Sequence, residues 1–285
     1  METVLESRSE RIVIGVDHPF CVIGERINPT GRKQLAELMS AGDFSLVEQD
    51  AAEQVAAGAH VLDVNAGVPL ADEPALLSEA VRRVQALVDV PLCLDSSVVA
   101  ALEAGLAACE GKPLVNSVTA ETARLAQVLP LVARHGAAVI GLASGDAGIP
   151  PMPEDRLAEA QKIISAAADY GIPVEDVVLD PIAMGVATDP SAPSVTLETI
   201  RLFTTELGAN TVLGASNVSF GLPARPLINA AFLAIAIGAC LTAAIMNPLS
   251  TEATMAVRAA NLLLGKDEYG AVWISAFRAA ESAAR

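Results

Sequence analysis

Residues 90–97 read VPLCLDSS, an apolar run that ends in an aspartate and two serines. Leu92, Cys93 and Leu94 follow one another without polar alternation, which is typical of a parallel strand that is covered on both faces. Asp95 comes directly after them, still within the run. The stretch therefore predicts a buried strand whose carboxyl end carries a charged side chain.

Seven further runs of this kind recur along the chain, with helical sequence between them. They start at Phe20, His60, Pro113, Ala137, Asp176, Thr211 and Thr242. The Ala-, Leu- and Glu-rich segments that separate them are predicted as helices over 45–57, 74–88, 97–109, 121–135, 154–170, 196–207, 226–239 and 251–264. The Pro-rich stretch 187–195 is predicted as a loop.

Eight strand–helix units in one chain predict an α/β fold with a single (β/α)8 barrel, a TIM barrel. A doubly wound open sheet is the alternative, but the sequence has no GxGxxG or GxxxxGK[ST] loop to support a nucleotide-binding fold. Residues 1–19 are predicted as an N-terminal extension, and residues 20–285 as the barrel.

The composition narrows the possible partners and compartment. The chain has 285 residues, with 34 acidic residues against 18 Lys and Arg, and a net charge of −16. Such an acidic protein is poorly suited to bind nucleic acid or an anionic membrane. The four scattered cysteines predict reduced thiols, and the charged start METVLESRSE lacks the apolar core of a signal peptide. We therefore expect a cytoplasmic protein.

A charge-free stretch at residues 227–246 is long enough to span a bilayer. Its alanine-rich composition and Gly238 instead favour a buried helix followed by a central strand, so no membrane span is expected. The predicted helix 226–239 either contacts a second copy of the chain in a homodimer or is covered by the barrel itself.

Polar residues gather at the predicted strand ends, where the active sites of such barrels lie. The set contains no histidine and no lysine, which argues against a Schiff-base lysine, a nucleophile paired with histidine or a metal site. We therefore expect no bound metal. Its members are Glu25, Arg26, Asn28, Asp63, Asn65, Asp95, Ser96, Asn116, Ser117, Ser144, Asp146, Asp180, Ser216, Asn217, Ser219 and Asn247.

Asp95, Asn116 and Asp180 differ from ordinary turn residues because they lie within the apolar runs. A single Asp or Asn after a strand is commonly a helix N-cap or a turn residue. Three at the same depth are costly unless they are paired or hydrogen-bonded. A carboxylate accepts two donors from the edge of a flat ring, and an amide both donates and accepts. The pattern fits a pterin or a purine-like heterocycle.

Seven motifs between Val22 and Leu264 resemble, in the right order, the pterin-binding methyltransferases. They are IGERINPTGRK, VLDVNAG, LCLDSS, LVNSVTAE, VIGL, LDPIAMGVAT and GASNVSFGLPARPLINAAFLAIA. This family contains the methyltetrahydrofolate:corrinoid iron–sulfur protein methyltransferases and the folate module of cobalamin-dependent methionine synthase. The resemblance implies a (β/α)8 barrel that moves a methyl group between N5 of tetrahydrofolate and cobalt. The cobalamin, a corrinoid, would be carried by a separate corrinoid protein.

The resemblance also implies roles for single residues. Asp180 would take the amino-pyrimidine edge of the pterin, and Asp95 and Asn116 would hold the opposite edge. Asn217 would be the catalytic residue, because its amide can donate a hydrogen bond to N5 as the methyl group departs. Phe220 stands where the acetogenic branch commonly carries a glutamine, which leaves a second amide near N5 in doubt. Further candidates for pterin or folate binding are Asp63, Asn65, Ser219, Asn28 and Arg225.

Two other functions compete with methyl transfer. Dihydropteroate synthase shares the expected fold and pterin pocket, but its diphosphate leaving group needs cations. The last two strands here end in LGASNVS and AIMNP, without any cation. A non-catalytic pterin-binding module would keep the residues that read the ring edges and would have no need of Asn217. The sequence leaves open the direction of transfer, the corrinoid partner, and folate against tetrahydromethanopterin.

Overall fold

The computed structural model describes the backbone of residues 1–283 and the side chains of residues 1–278. The strands are β1 Thr3–Glu6, β2 Arg11–Ile14, β3 Cys21–Ile27, β4 Val61–Asn65, β5 Leu92–Asp95, β6 Leu114–Thr119, β7 Ala138–Leu142, β8 Val177–Asp180, β9 Val212–Gly214 and β10 Ala243–Met246. The α-helices are α1 Lys33–Ser40, α2 Ser45–Ala56, α3 Glu73–Leu87, α4 Val99–Ala108, α5 Thr122–His135, α6 Pro153–Asp169, α7 Ala192–Leu207, α8 Arg225–Gly238, α9 Thr251–Leu263 and α10 Ala271–Ala283.

Strands β3 to β10 form a parallel barrel in chain order. The strands from β3 through β8 pair with their neighbours in sequence, and β10 pairs with both β9 and β3. A single parallel bridge between Leu179 and Thr211 joins β8 to β9 and brings the sheet close to full closure. The predicted (β/α)8 fold is confirmed, with helices between the strands as expected for parallel pairing.

The interior of the barrel is filled by alternate residues of its strands. Apolar side chains such as Ile23, Val61 and Val178 pack together there, whereas their neighbours along the strands face the helices. Because side chains two apart share a face, the next inward positions lie one layer closer to the carboxyl ends. That layer holds Glu25, Asp63, Asp95, Asn116 and Asp180.

The first 14 residues close the amino end of the barrel. Strands β1 and β2 form an antiparallel hairpin, and their Leu5 and Ile14 are fully buried in the same apolar cluster as the barrel interior. The amide of Asn210, just before β9, donates to the carbonyl of Ile14 at 2.8 Å and to Thr3 Oγ1 at 3.0 Å. The N-terminal extension thus packs into the core of the barrel.

Three helical regions differ from the sequence-based expectation. Helices α1 and α10 were not among the predicted segments. The loop predicted over 187–195 is wrong from Ala192, where α7 begins. Pro193 lies in the first turn of that helix, where its missing N–H has no intrahelical partner to lose.

The charge-free stretch 227–246 is divided between α8 and β10, as the sequence predicted. Within residues 1–283, none of the helices combines the length and the apolar character that crossing a membrane requires. The homodimer contact through this helix and the cytoplasmic location stay predictions.

We expect Leu5→Ala to lower the free energy of unfolding by about 2–5 kcal/mol, because it opens a cavity under the barrel interior. Leu263→Ala is the matched control, since Leu263 is 84% exposed, and should change that energy by less than about 0.5 kcal/mol. Urea unfolding of both variants measures the difference. Equal, small effects would show that the hairpin does not stabilise the barrel.

Candidate active site

Two amide–carboxylate pairs link strands β4, β5 and β6 at the barrel mouth. Asn65 lies opposite Asp95 in the strand register, and its Nδ2 donates to Asp95 Oδ2 at 2.9 Å. Asn116 Nδ2 donates to Asp63 Oδ1 at 3.1 Å. Asn65 Oδ1 also accepts from the backbone N–H of Gly67 at 2.8 Å, which orients its amide group. The pairs hold two carboxylates in defined positions inside the mouth.

The two carboxylates of this cluster hold protons more tightly than ordinary aspartates. Burial and, next in size, the nearby charge of Asp95 raise the pKa of Asp63 to about 8. Burial also raises the pKa of Asp95, and the hydrogen bond from Asn65 offsets part of that effect. Because two like charges at close range repel, the cluster carries fewer charges at neutral pH than its composition suggests. Donors from a bound ring would stabilise the ionised forms.

Asp180 is the third carboxylate of the mouth, buried at the end of β8. Burial raises its pKa to about 7, against a hydrogen bond from the Ile182 N–H and the charge of Arg156. The Ile182 N–H donates to Oδ1 at 2.7 Å. Arg156 donates instead to the carbonyl oxygens of Pro181, at 2.6 Å, and Ile182, at 2.9 Å. Within the described chain Oδ2 of Asp180 has no hydrogen-bond partner, so it is available to a ligand.

Asn217 lies in a single 3-10 turn that follows β9, on the opposite side of the mouth from β5. Its side chain is exposed, and its amide forms no hydrogen bond within the described part of the chain. A Cβ at Gly214 would lie 3.2 Å from Asn217 Nδ2, so a larger residue there would press on the amide. Asn217 therefore serves no structural hydrogen bond, and its contact with a ligand stays a prediction.

Glu25 lies next to this turn, although the sequence motif assigned it no role. Its Oε1 accepts a hydrogen bond from Ser216 Oγ at 3.4 Å, and burial raises its pKa. Both residues line a cavity of about 310 Å³, together with Met246 and Asn247. The two-residue spacing from the inward-facing Ile23 is the signal that could have identified Glu25 as a site residue.

Ser219 and Arg225 support the turn that carries Asn217. Ser219 is fully buried, and its hydroxyl donates to Asn229 Oδ1 at 2.6 Å and accepts from Arg225 Nε at 3.1 Å. Arg225 Nη2 donates to the carbonyl oxygen of Ser216 at 2.8 Å. These contacts fix the backbone on both sides of Asn217.

Asn28 has a local role in the ligand-free chain, because its Oδ1 accepts from the backbone N–H of Thr30 at 2.9 Å. This is the hydrogen bond of an Asx-turn. Direct contact of Asn28, Ser219 or Arg225 with a ligand stays a prediction. The structure places Asp63, Asn65, Asp95 and Asn116 in one cluster, with Asp180 and Asn217 on other parts of the mouth.

The mouth thus combines the buried carboxylates of Asp63 and Asp180, the half-buried one of Asp95, ordered amides and a free amide on a parallel barrel. The chain matches the family described as "Pterin binding enzyme" over residues 24–247. It belongs to this family. It is also 30% identical over 265 residues to the methylcorrinoid:tetrahydrofolate methyltransferase of Eubacterium limosum, covering 90% of this chain and 96% of that protein. The family resemblance seen in the motifs is confirmed, and the protein is an enzyme.

Other relatives extend the comparison. The methionine synthase of Mycobacterium tuberculosis is 31% identical over 245 residues, which cover 81% of this chain and 21% of that protein. Among solved structures, the dihydropteroate synthase of Yersinia pestis superposes with a TM-score of 0.67 at 17% identity, covering 93% of this chain and 100% of that one. That of Xanthomonas albilineans gives 0.69 at 18% identity, covering 93% and 99%. At such identities these structures show the fold alone.

We expect Asp180→Asn to stabilise the ligand-free protein above pH 7 and to have little effect near pH 4. The folded pKa of about 7 lies above the ordinary value of 3.8. The stability that the proton contributes is therefore complete below about pH 4 and is lost as the pH rises to about 7. Asparagine is neutral at every pH, so above pH 7 the free energy of unfolding should rise by at most about 4 kcal/mol relative to wild type.

Urea unfolding between pH 4 and 8.5 measures this difference, with Asp189→Asn as the control. Asp189 is exposed, and hydrogen bonds with Ser191 lower its pKa. Parallel pH profiles for wild type and Asp180→Asn would contradict the raised pKa.

Proposed function

We propose that this enzyme transfers a methyl group between N5 of tetrahydrofolate and the cobalt of a corrinoid that a separate protein carries. The observation that carries the proposal is the free amide of Asn217 at the mouth of the pterin-binding barrel. An uncharged donor there suits a nitrogen that gains electron density when its methyl group leaves. Similarity to the Eubacterium limosum methyltransferase over nearly its whole length supports this reading.

The buried carboxylates provide the binding energy and the orientation of the pterin. The free oxygen of Asp180 accepts from the amino-pyrimidine edge, and Asp95 with Asn116 holds the opposite edge. Each carboxylate accepts a hydrogen bond from an N–H of the ring. These hydrogen bonds stabilise the ionised form of the carboxylates. The pterin is thereby fixed with N5 towards Asn217, so the reacting atoms meet in one orientation.

The transfer is a displacement at the methyl carbon. Towards cobalt, Co(I) attacks the methyl group, the bond from carbon to N5 breaks, and N5 keeps the electron pair and takes up a proton. Towards folate, the N5 lone pair attacks the methyl group of methyl-Co(III), the electron pair of the broken bond returns to cobalt, and N5 loses its proton. Asn217 donates to N5 as the electron pair develops. Glu25, with its raised pKa, exchanges the proton through Ser216.

The mouth is poorly equipped for the dihydropteroate synthase reaction. A diphosphate leaving group needs free cations. Within the described chain the side chain of Arg26, near Glu25, has no hydrogen-bond partner, but four other arginines near the strand ends already donate to main-chain carbonyl oxygens or to a carboxylate. These arginines are Arg32, Arg124, Arg156 and Arg225. The turns after β9 and β10 present Asn217 and Asn247 instead of cations. Methyl transfer is the reaction that these residues fit better.

Exposed apolar side chains surround the mouth and support docking of a protein partner. The loops after β4, β5, β7, β8, β9 and β10 each present at least one of them, and such patches commonly mark interaction surfaces. We call this set the mouth rim. It consists of Leu70, Val98, Ile149, Met152, Met184, Phe220 and Leu249.

The test of the proposed reaction is an anaerobic assay with purified protein, 5-methyltetrahydrofolate and reduced cob(I)alamin. Conversion of the Co(I) absorbance to the methyl-Co(III) spectrum, at a rate proportional to enzyme concentration, is the expected result. Binding of 5-methyltetrahydrofolate is measured in parallel by calorimetry. Absence of both conversion and binding would overturn the proposal.

We expect Asn217→Ala to lower the rate of methyl transfer roughly 10- to 1000-fold, as loss of one transition-state donor does. Its dissociation constant for 5-methyltetrahydrofolate should change much less than the rate. Asp180→Ala should show the opposite division, with weakened binding as the main effect. Stopped-flow transfer rates and calorimetry separate the two variants. An unchanged rate in Asn217→Ala would remove this residue from the mechanism.

We expect Leu70→Asp to slow transfer with a corrinoid protein roughly 10-fold or more, because a charge in the mouth rim opposes docking. The rate with free cob(I)alamin should stay unchanged. Leu70 is fully exposed and has a positive φ of 64°, a conformation that Asp tolerates better than Leu. Leu263→Asp, at an exposed position on α9, is the control. Equal losses with both cobalt substrates would contradict a docking role.

A further inference from the structure

A second cavity lies at the amino end of the barrel, away from the mouth. Phe20 and His60, which directly precede β3 and β4, line one side of it, and Val257 and Arg258 of α9 line another. Its volume of about 310 Å³ equals that of the cavity beside Glu25. The carboxyl ends of the strands bind the ligands of such barrels, so neither the pterin nor the methyl transfer involves this cavity.

The uncommitted polar groups of this cavity are all hydrogen-bond donors. His60 Nδ1 accepts from the Val22 N–H at 3.0 Å, so the neutral ring carries its proton on Nε2. Asn261 Oδ1 accepts from the Phe20 N–H at 3.0 Å, which leaves the Nδ2 hydrogens free. Arg258 and Lys266 add cationic donors.

The carboxylate that lines the same cavity, Asp267, already accepts hydrogen bonds from the main chain. Asp267 uses one carboxylate oxygen for the Val272 N–H, at 3.0 Å, and the other for the Trp273 N–H, at 2.9 Å. Within the described chain neither Arg258 nor Lys266 has a hydrogen bond or an ion pair through its side chain. Asp17 and Cys240 act on Lys266 only from a distance, and burial lowers the pKa of its amine.

Two unpaired cations are notable in a chain of net charge −16, where acidic partners are plentiful. The walls around them are apolar, with Phe20 and Val257 buried against the barrel. Cationic donors on an apolar floor match a ligand with an anionic head and a short apolar body.

We propose that this cavity, lined by His60, Arg258, Asn261 and Lys266, binds a small organic anion, a carboxylate or a phosphate monoester with an apolar chain. The head accepts hydrogen bonds from the two cations, the imidazole Nε2–H and the amide, and the chain lies against Phe20 and Val257. The site is independent of the methyl-transfer site, so both ligands bind at once.

The test uses three probes with the same six-carbon chain: hexanoate, hexyl phosphate and 1-hexanol. Dissociation constants are measured by NMR titration, in the presence of saturating 5-methyltetrahydrofolate and in its absence. We expect at least one anion to bind about 10-fold more tightly than the alcohol, since charge-assisted hydrogen bonds hold its head. Which anion binds more tightly identifies the head group. Anions that bind no more tightly than 1-hexanol would overturn the proposal.

The variant Arg258→Gln/Lys266→Gln should weaken binding of the preferred anion about 10-fold or more, with an intermediate loss in Lys266→Gln alone. The control Arg134→Gln/Arg201→Gln removes the same charge from exposed ion pairs with Glu103 and Glu198 and should bind as wild type does. Wild-type affinity in the first variant would exclude this cavity as the site. Probe binding in Asp180→Ala should be unchanged, which separates this test from that of the methyl-transfer proposal.

Discussion

Burial of carboxylates inside the barrel is the constraint on which the rest of the site depends. Asp63, Asp95 and Asp180 extend the inward-facing positions that hold apolar residues one layer below. Their desolvation opposes ionisation, and within the described chain none of them forms an ion pair, although the charge of Arg156 offsets part of the effect at Asp180. Amide and backbone hydrogen bonds hold them in place instead. The mouth is thus a surface rich in hydrogen-bond acceptors, which matches a ring with donors along its edge.

In the proposed mechanism, binding and chemistry depend on different kinds of backbone. The carboxylates lie on β4, β5 and β8, whose positions the sheet fixes, and precise recognition of a flat ring benefits from that rigidity. Asn217 lies on a short turn outside the sheet, held by Arg225 and the buried Ser219. The turn gives its amide freedom to reorient while the backbone stays in position, which suits a hydrogen bond that strengthens only during the transfer.

The two ends of the barrel carry opposite features. The mouth is acidic inside and rimmed with exposed apolar residues, an arrangement suited to a pterin below and a protein partner above. The amino end is closed by the β1–β2 hairpin, whose Leu5 and Ile14 complete the apolar interior. Beside it lies the cavity with unpaired Arg258 and Lys266. The two proposed sites are thus chemically distinct and lie at opposite ends of the same strands.

The sequence by itself determined the barrel and much of its mouth. Parallel strands covered by helices on both faces appear in the sequence as continuous apolar runs. The runs that end in Asp95, Asn116 and Asp180 therefore identify strands, and their last residues mark the carboxyl ends. Contacts between distant segments were decided only by the tertiary structure. Glu25 meets Ser216 across 191 positions of sequence, and Arg225 turned out to support the Asn217 turn. The N-terminal hairpin packs into the barrel core, and α7 begins at Ala192; the sequence predicted neither feature. Such contacts depend on which strands become neighbours when the barrel closes, and no local pattern records that.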